Sequence, residues 1–196
     1  MRDLIEYEKV RAYIGSGDII SWQTHSLLGS AIRCFSPRPA GELKGINPNH
    51  VATVFVDTLE DKLALRNQII EAYDGEVNAR LLSKRLGDFD GKVYWHQLVP
   101  ELDKYRDDIA DSIKEHIGER YGYSTLIKFA ITRPSVDPRD WICSEISQHG
   151  VTSVVPRSVI ESFLPNPFVE FVLDGKILKP SEEIQLPFWT FEAEIL

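Results

Sequence analysis

HVATVFVDTLEDKLALRNQIIEAYDGEVNARLL, residues 50–82, decides the fold class of this 196-residue chain. Three runs within it, HVATVFV (50–56), NQIIEAY (67–73) and EVNARLL (76–82), are apolar and rich in residues that suit a pleated strand. Asp74-Gly75 joins the last two, and Asp-Gly between such runs is the strongest short-range signal for a hairpin turn. A second Asp-Gly, at 90–91, introduces a fourth run, KVYWHQL (92–98). The pattern predicts an antiparallel meander.

Upstream, DIISW (18–22) predicts one more strand, after a GSGD stretch whose Gly15 and Gly17 end a short helix predicted over 2–13. HSLLGSAIRCF (25–35) has helical spacing, and the proline-rich stretch 36–49 predicts a loop. Beyond the meander, Leu102, Tyr105, Ile109, Ile113 and Ile117 recur on one helical face, with Gly118 placed to end the helix. A further helix is predicted over TLIKFAI (125–131). In RDWICSEISQHG (139–150), Asp140 is placed to cap a helix that stops at Gly150. FVEFVLDGKIL (168–178) reads as a hairpin about Asp174-Gly175. Strands and helices mix without βαβ alternation, so the fold class is α+β. Residues 1–150 form the main domain, and 151–196 form a C-terminal extension with that hairpin, packed on the same domain.

Composition narrows the function classes. At 43% hydrophobic and 27% charged residues, the chain builds a core without disulfides. The net charge of −8 disfavours nucleic acid or an anionic bilayer as the main partner, because phosphate binding relies on clustered Lys and Arg. The one basic cluster, Arg80, Lys84 and Arg85, reads as a solvated face. MRDLIEYEKVRAY lacks the apolar stretch of a signal peptide, and no run is long enough to span a membrane. The expected compartment is the cytoplasm, with delivery or release by other machinery as the other route. No CxxC pair, HExxH or dense His/Asp cluster occurs, so no metal is expected, and no cofactor is called for. GxSxG is absent, which argues against a serine α/β-hydrolase.

The candidate chemistry centres on Cys143. A cap at Asp140 puts it at the third helical position, where free backbone N–H groups and the positive end of the helix favour a thiolate. The competing reading is a buried core cysteine. A cysteine nucleophile needs a base, and five histidines compete. His50 opens a strand directly after a loop, an edge position where a polar group can face a cleft. His149 projects from another side of the Cys143 helix, His25 pairs poorly with Cys34, and His96 and His116 read as ordinary surface residues. Glu71 is one carboxylate within the apolar IIEAY, which is costly unless paired. Its competing reading is a solvent-facing strand residue.

GDIISW, NHVATVFV, IIEAYDG, YGYSTL and WICSEI occur in that order. Together they resemble the permuted branch of the NlpC-type papain-like hydrolases, the YiiX-like proteins. There a GDI strand opens the domain, a His begins the next strand, an EA pair follows and a CSE helix closes it. The resemblance spans residues 15–150 and implies a circularly permuted papain-like fold, an antiparallel sheet packed against helices that include the nucleophile helix. It implies Cys143 as nucleophile, His50 as base, Glu71 as the group orienting the imidazole, and Tyr123 of YGYS in a supporting role. Ala52-Thr53 depart from the glycine common after the His-Val pair.

The expected function is therefore a cysteine hydrolase working through a thioester on Cys143. A second oxyanion donor is expected, with Gln23 a candidate. The family's substrates run from cell-wall peptide amides to other amides and to lipid esters or thioesters, so the partner is a small acyl, peptide or lipid-like molecule. Two other readings remain open. One is a non-catalytic binding module of the same fold. The other is an interaction protein docking through an aromatic tail (Phe163, Phe168, Phe171, Phe188, Trp189 and Phe191).

Overall fold

The structure is a computed structural model and describes residues 4–24, 38–39, 41–58, 65–122 and 141–195. The helices predicted over 25–35 and 125–131, and the calls on Asp140 and Tyr123, lie outside those residues.

Strand β1 (Leu4–Ile5), helix α1 (Tyr7–Val10) and strand β2 (Ile19–Thr24) come first. The helix predicted over 2–13 is therefore confined to one turn. Of the predicted meander, β3 (His50–Thr58), β4 (Leu65–Tyr73) and β5 (Glu76–Leu81) form, but β6 (Gly91–Leu98), reached through α2 (Leu82–Gly87), pairs with β2 and not with β5, so Asp90-Gly91 is not a hairpin turn. The β4–β5 turn is made by Asp74 and Gly75, both at positive φ, as an Asp-Gly hairpin requires.

The helix predicted from Leu102 onward splits into a 3-10 segment, Pro100–Tyr105, and α3 (Arg106–Lys114). Ile109 and Ile113 are buried, but Ile117 is 45% exposed because the chain has already left the helix there. Then come α4 (Cys143–Val154), α5 (Arg157–Glu161), α6 (Pro167–Leu173), α7 (Pro180–Glu183) and β7 (Trp189–Ile195).

The strands form one sheet in the order β1-β7-β6-β2-β3-β4-β5, antiparallel throughout except for the parallel β1–β7 edge. The architecture is α+β. The C-terminal residues belong to this sheet, since β7 lies between β1 and β6. The hairpin expected about Asp174-Gly175 is not formed, because 167–173 is helical. Asn166 Oδ1 accepts from the Phe168 and Val169 N–H groups at 2.9 and 3.4 Å, and Pro167 fills the first helical turn. Gly175, at φ +66, then ends that helix.

Apolar side chains line both faces of the sheet. On one, Ile19, Val51, Phe55 and Ile70 pack with Ile109 and Ile113 of α3 and Ile146 and Val151 of α4. On the other, Ile20, Trp22, Ala52 and Val54 pack with Tyr7, Val10 and Ile14. Helix α4 runs past the expected stop at Gly150. Gly150 is a close-approach residue instead, where a Cβ would stand 2.7 Å from Ile113 Cγ1.

The Asp of the GDI segment is structural. Asp18, fully buried, accepts hydrogen bonds from Gly15 N (3.0 Å), Trp95 Nε1 (2.8 Å), Leu98 N (2.9 Å) and Arg106 Nη1 (2.5 Å). Arg106 also donates to the Ser16 and Leu98 carbonyls at 2.9 and 2.8 Å. One buried ion pair thus ties the start of β2, the end of β6 and the start of α3. Among the described residues, no helix is long and apolar enough to cross a membrane.

Candidate active site

His50 is the first residue of β3, and the loop before it is pinned to β2. Asn49 N donates to the Trp22 carbonyl at 3.0 Å, and the Asn49 side chain bonds Thr24 N (2.9 Å) and Thr24 Oγ1 (2.8 Å). Asn47 N donates to Gln23 Oε1 at 3.1 Å. Gln23, the candidate oxyanion donor, thus has its amide oxygen engaged in fixing this loop. Trp22 pairs with His50, so the histidine enters the sheet at a set register.

The β3–β4 register runs from Thr58↔Leu65 to Thr53↔Ile70. Continued towards His50, it sets Glu71 on the diagonal of His50 and on the same face, close enough for side chains to meet. They do meet: His50 Nε2 and Glu71 Oε2 lie 2.6 Å apart. Glu71 is fully buried and His50 nearly so. Tyr73, the next residue on that face, sets its ring edge-on to the imidazole at 5.6 Å.

Cys143 comes from the other side. Helix α4 starts at Cys143 itself, with Ile142 as the flanking residue, so the cysteine is at the first helical position and not the third. The turn is closed by Glu145, whose Oε2 accepts from Ile142 N at 3.3 Å. Glu145 reaching back to its own helix start is the second half of a capping box, and it takes over the capping expected of Asp140. The Cys143 thiol is buried and interacts electrostatically with the His50 side chain. With Nε2 committed to Glu71, the ring nitrogen left for the sulfur is Nδ1. Cys143, His50 and Glu71 therefore form one interacting row.

The electrostatics follow from that row. Burial pushes the His50 ring down, but the interaction with Cys143, then the hydrogen bond and charge of Glu71, outweigh it, and His50 is pushed up to about 9. Burial likewise pushes the Glu71 carboxyl up, and the hydrogen bond and charge of His50, with those of Arg85, overcome it and hold the carboxyl below its ordinary value. The arrangement favours the protonated form of the His50 ring.

Arg85 is the residue at the candidate site that the sequence did not reveal. Its Nε donates to Glu71 Oε1 at 3.0 Å, and its guanidinium lies over the rings of Tyr73, Trp22 and Phe89 at 4.8, 5.0 and 5.5 Å. Its side chain is only 11% exposed. The basic cluster is thus divided: Arg85 is a buried partner of the site, and Arg80 approaches the same carboxylate oxygen at 3.9 Å.

The other described histidines stand apart. His96 is not a surface residue. It is fully buried, Ser21 Oγ lies 2.8 Å from its Nε2, and burial pushes the ring down to about 3, so it is neutral. His149 stacks with His116 and Trp141, at 4.9 and 5.1 Å between ring centres.

No family model matches the chain, and no curated protein sequence matches it. A solved structure does: the metalloprotein YiiX of Escherichia coli O157:H7, a DUF1105 protein, matches with a TM-score of 0.62 at 16% identity, covering 92% of this chain and 97% of that one. Metalloprotein is the description of that protein. In this chain, among the described residues, no three His, Cys, Asp or Glu side chains are grouped to hold a metal ion, and both Glu71 oxygens are taken by His50 and Arg85. At this identity the likeness is one of architecture, and the α+β fold described above is YiiX-like.

Proposed function

We propose that this chain is a cysteine-dependent hydrolase of circularly permuted papain-like design, acting on an acyl group through a thioester on Cys143. The observation that carries the reading is a buried His50 bound to Glu71 at 2.6 Å and in electrostatic contact with the buried Cys143 thiol. A nucleophile, a base and a group orienting the base is the arrangement that makes a thiol reactive.

In this mechanism His50 takes the Cys143 proton, and Glu71 fixes the tautomer and stabilises the imidazolium. The thiolate attacks the acyl carbon, a C–S bond forms, and the carbonyl electron pair moves onto oxygen. The Cys143 backbone N–H, which has no partner within the helix at its first position, faces that oxyanion. Collapse expels the leaving group, protonated by His50, and water then hydrolyses the thioester with His50 as base. The substrate class is a peptide-like amide or a lipid ester or thioester. The chain acts in the cytoplasm or where other machinery delivers it.

Iodoacetamide labelling read by mass spectrometry tests the nucleophile, with Cys34 as internal reference. At about pH 6.5, Cys143 alkylates faster than Cys34 by on the order of tenfold or more, and His50→Ala removes the advantage. Equal rates in both proteins sink the hydrolase reading and leave a ligand-binding module of the same fold.

A further inference from the structure

Glu183 is fully buried, and neither of its carboxyl oxygens has a hydrogen-bond partner among the described residues. It closes the short helix α7, which packs on the Cys143 helix, and its neighbours Ile184 and Leu186 share a core cluster with Cys143 and Ile146. The adjacent Glu182, equally buried, has a structural use, since its Oε2 accepts from Lys179 N at 2.9 Å. Glu183 has none. Burial, and then the charge of Cys143, push its carboxyl well above the ordinary value, so it holds its proton and is a neutral acid within electrostatic range of the nucleophile.

An acid O–H left without an acceptor in a protein interior carries an uncompensated desolvation penalty. Such a group beside a nucleophile fits a ligand atom that arrives only with substrate. The atom must be an acceptor. At a cysteine that attacks acyl groups, the acceptor that gains charge during the reaction is the carbonyl oxygen.

We infer that Glu183 is the second oxyanion donor of this site, a neutral carboxylic acid whose O–H hydrogen-bonds the oxygen of an acyl group undergoing attack by Cys143. The inference rests on the hydrolase reading above and supplies the second donor that reading expects. When the C–S bond forms and the carbonyl π pair moves to oxygen, the Glu183 O–H and the Cys143 N–H share the new charge. The proton stays on Glu183. On collapse the C=O re-forms, the bond to the leaving group breaks, and the hydrogen bond weakens again. A neutral acid suits this task because an ionised one would repel both the thiolate and the oxyanion.

The test separates attack at a carbonyl from attack at a saturated carbon. Iodoacetamide alkylation forms a C–S bond with loss of iodide and develops no oxyanion. Acylation by p-nitrophenyl acetate does develop one, and its burst of nitrophenolate counts acylated Cys143. Glu183→Leu keeps the bulk and removes the donor, so the burst rate should fall by on the order of 10²-fold while alkylation stays at the wild-type rate. Glu183→Gln restores a neutral donor and should recover most of the loss.

A folded Glu183→Leu protein that acylates at the wild-type rate overturns the inference. So does equal loss of alkylation and acylation, which would place Glu183 in thiolate formation or in folding. If wild-type Cys143 does not alkylate ahead of Cys34, the hydrolase reading has failed. If it alkylates and is not acylated, the oxyanion donor alone has failed. Should Glu183→Leu not fold, infrared difference spectra of the wild type against Glu183→Gln decide. A protonated-carboxyl band at neutral pH that shifts to lower frequency on acylation supports the donor, and an ionised carboxylate or an unshifted band overturns it.

Discussion

Arg85 and His50 divide the two oxygens of Glu71, Arg85 Nε binding Oε1 at 3.0 Å and His50 Nε2 lying 2.6 Å from Oε2. A fully buried carboxylate on an apolar strand is thereby satisfied on both sides. The charge that orients the histidine is itself held by a cation from the helix after β5.

Arg85→Met therefore leaves Oε1 without its close partner and removes the cation stacked on Trp22, Tyr73 and Phe89. Stability should fall by about 1–3 kcal/mol, the range for orphaning a buried polar group, as read from the urea midpoint. Cys143 alkylation should slow as well, because Glu71 then loses a group that keeps it ionised. Arg85→Lys should rescue little, since an ammonium has neither the planar fork nor the stacking face. Full rescue by Lys would show that charge alone matters here.

The titration of His50 carries a second prediction. The folded ring holds its proton up to about 9, whereas the unfolded ring has the ordinary value of 6.5. Between those values the folded chain binds more protons than the unfolded one, so this contribution is fully present below 6.5 and is lost as pH rises through 9. The stability gap between wild type and His50→Ala should be larger at about pH 6 than at about pH 10. In NMR, the His50 ring should titrate near 9 in the wild type. Cys143→Ala should move that midpoint down, because it removes the largest interaction that opposes burial. An unmoved midpoint would break the link between ring and thiol.

Asp18 and Arg106 test the fold beneath the site. The pair joins β2, β6 and α3 at 2.5 Å, with Asp18 fully buried. Arg106→Met strands that carboxylate among its remaining donors, and breaking a buried pair by removing one partner destabilises by about 3–5 kcal/mol. Chemical denaturation of Asp18→Asn and Arg106→Met measures it. A loss under about 1 kcal/mol for Arg106→Met would mean the backbone and indole donors alone satisfy Asp18.

The β4–β5 hairpin was legible in the sequence because strand periodicity and an Asp-Gly turn act locally, whereas no such turn sets the β3–β4 register, and the His50–Glu71 encounter was expected from the family resemblance. The start of α4 was misread by two residues, since Glu145 caps it from within where the eye goes to Asp140 upstream. The stretch 168–178 resembles a hairpin as strongly as 76–82 resembles a strand. Asn166-Pro167 was the signal for a helix, and it outweighs the β-rich composition. Arg85 and Glu183 were beyond local reading. A charged residue in a run such as SKR or SEE looks solvated, and only the packing of distant segments buries it. Both of these buried side chains are of this kind.

Gly150 bears on how the Cys143 helix is seated. It lies in the middle of α4, where glycine costs about 0.8–1.0 kcal/mol relative to alanine in an exposed helix. Propensity alone therefore says that Gly150→Ala stabilises. Packing says the opposite, because the added methyl would stand 2.7 Å from Ile113 Cγ1 and 3.2 Å from Ile109 Cγ2. Overpacking of this kind typically costs 1–3 kcal/mol, so the balance should be net destabilisation of up to about 2 kcal/mol. The Cys143 end of α4 should shift with it and slow alkylation. Gly150→Ala combined with Ile113→Val, which removes the nearest colliding atom, Ile113 Cδ1, and leaves Cγ1, should recover part of both. If Gly150→Ala alone raises the urea midpoint, α3 and α4 are packed loosely enough to part, and the seat of Cys143 does not depend on their contact.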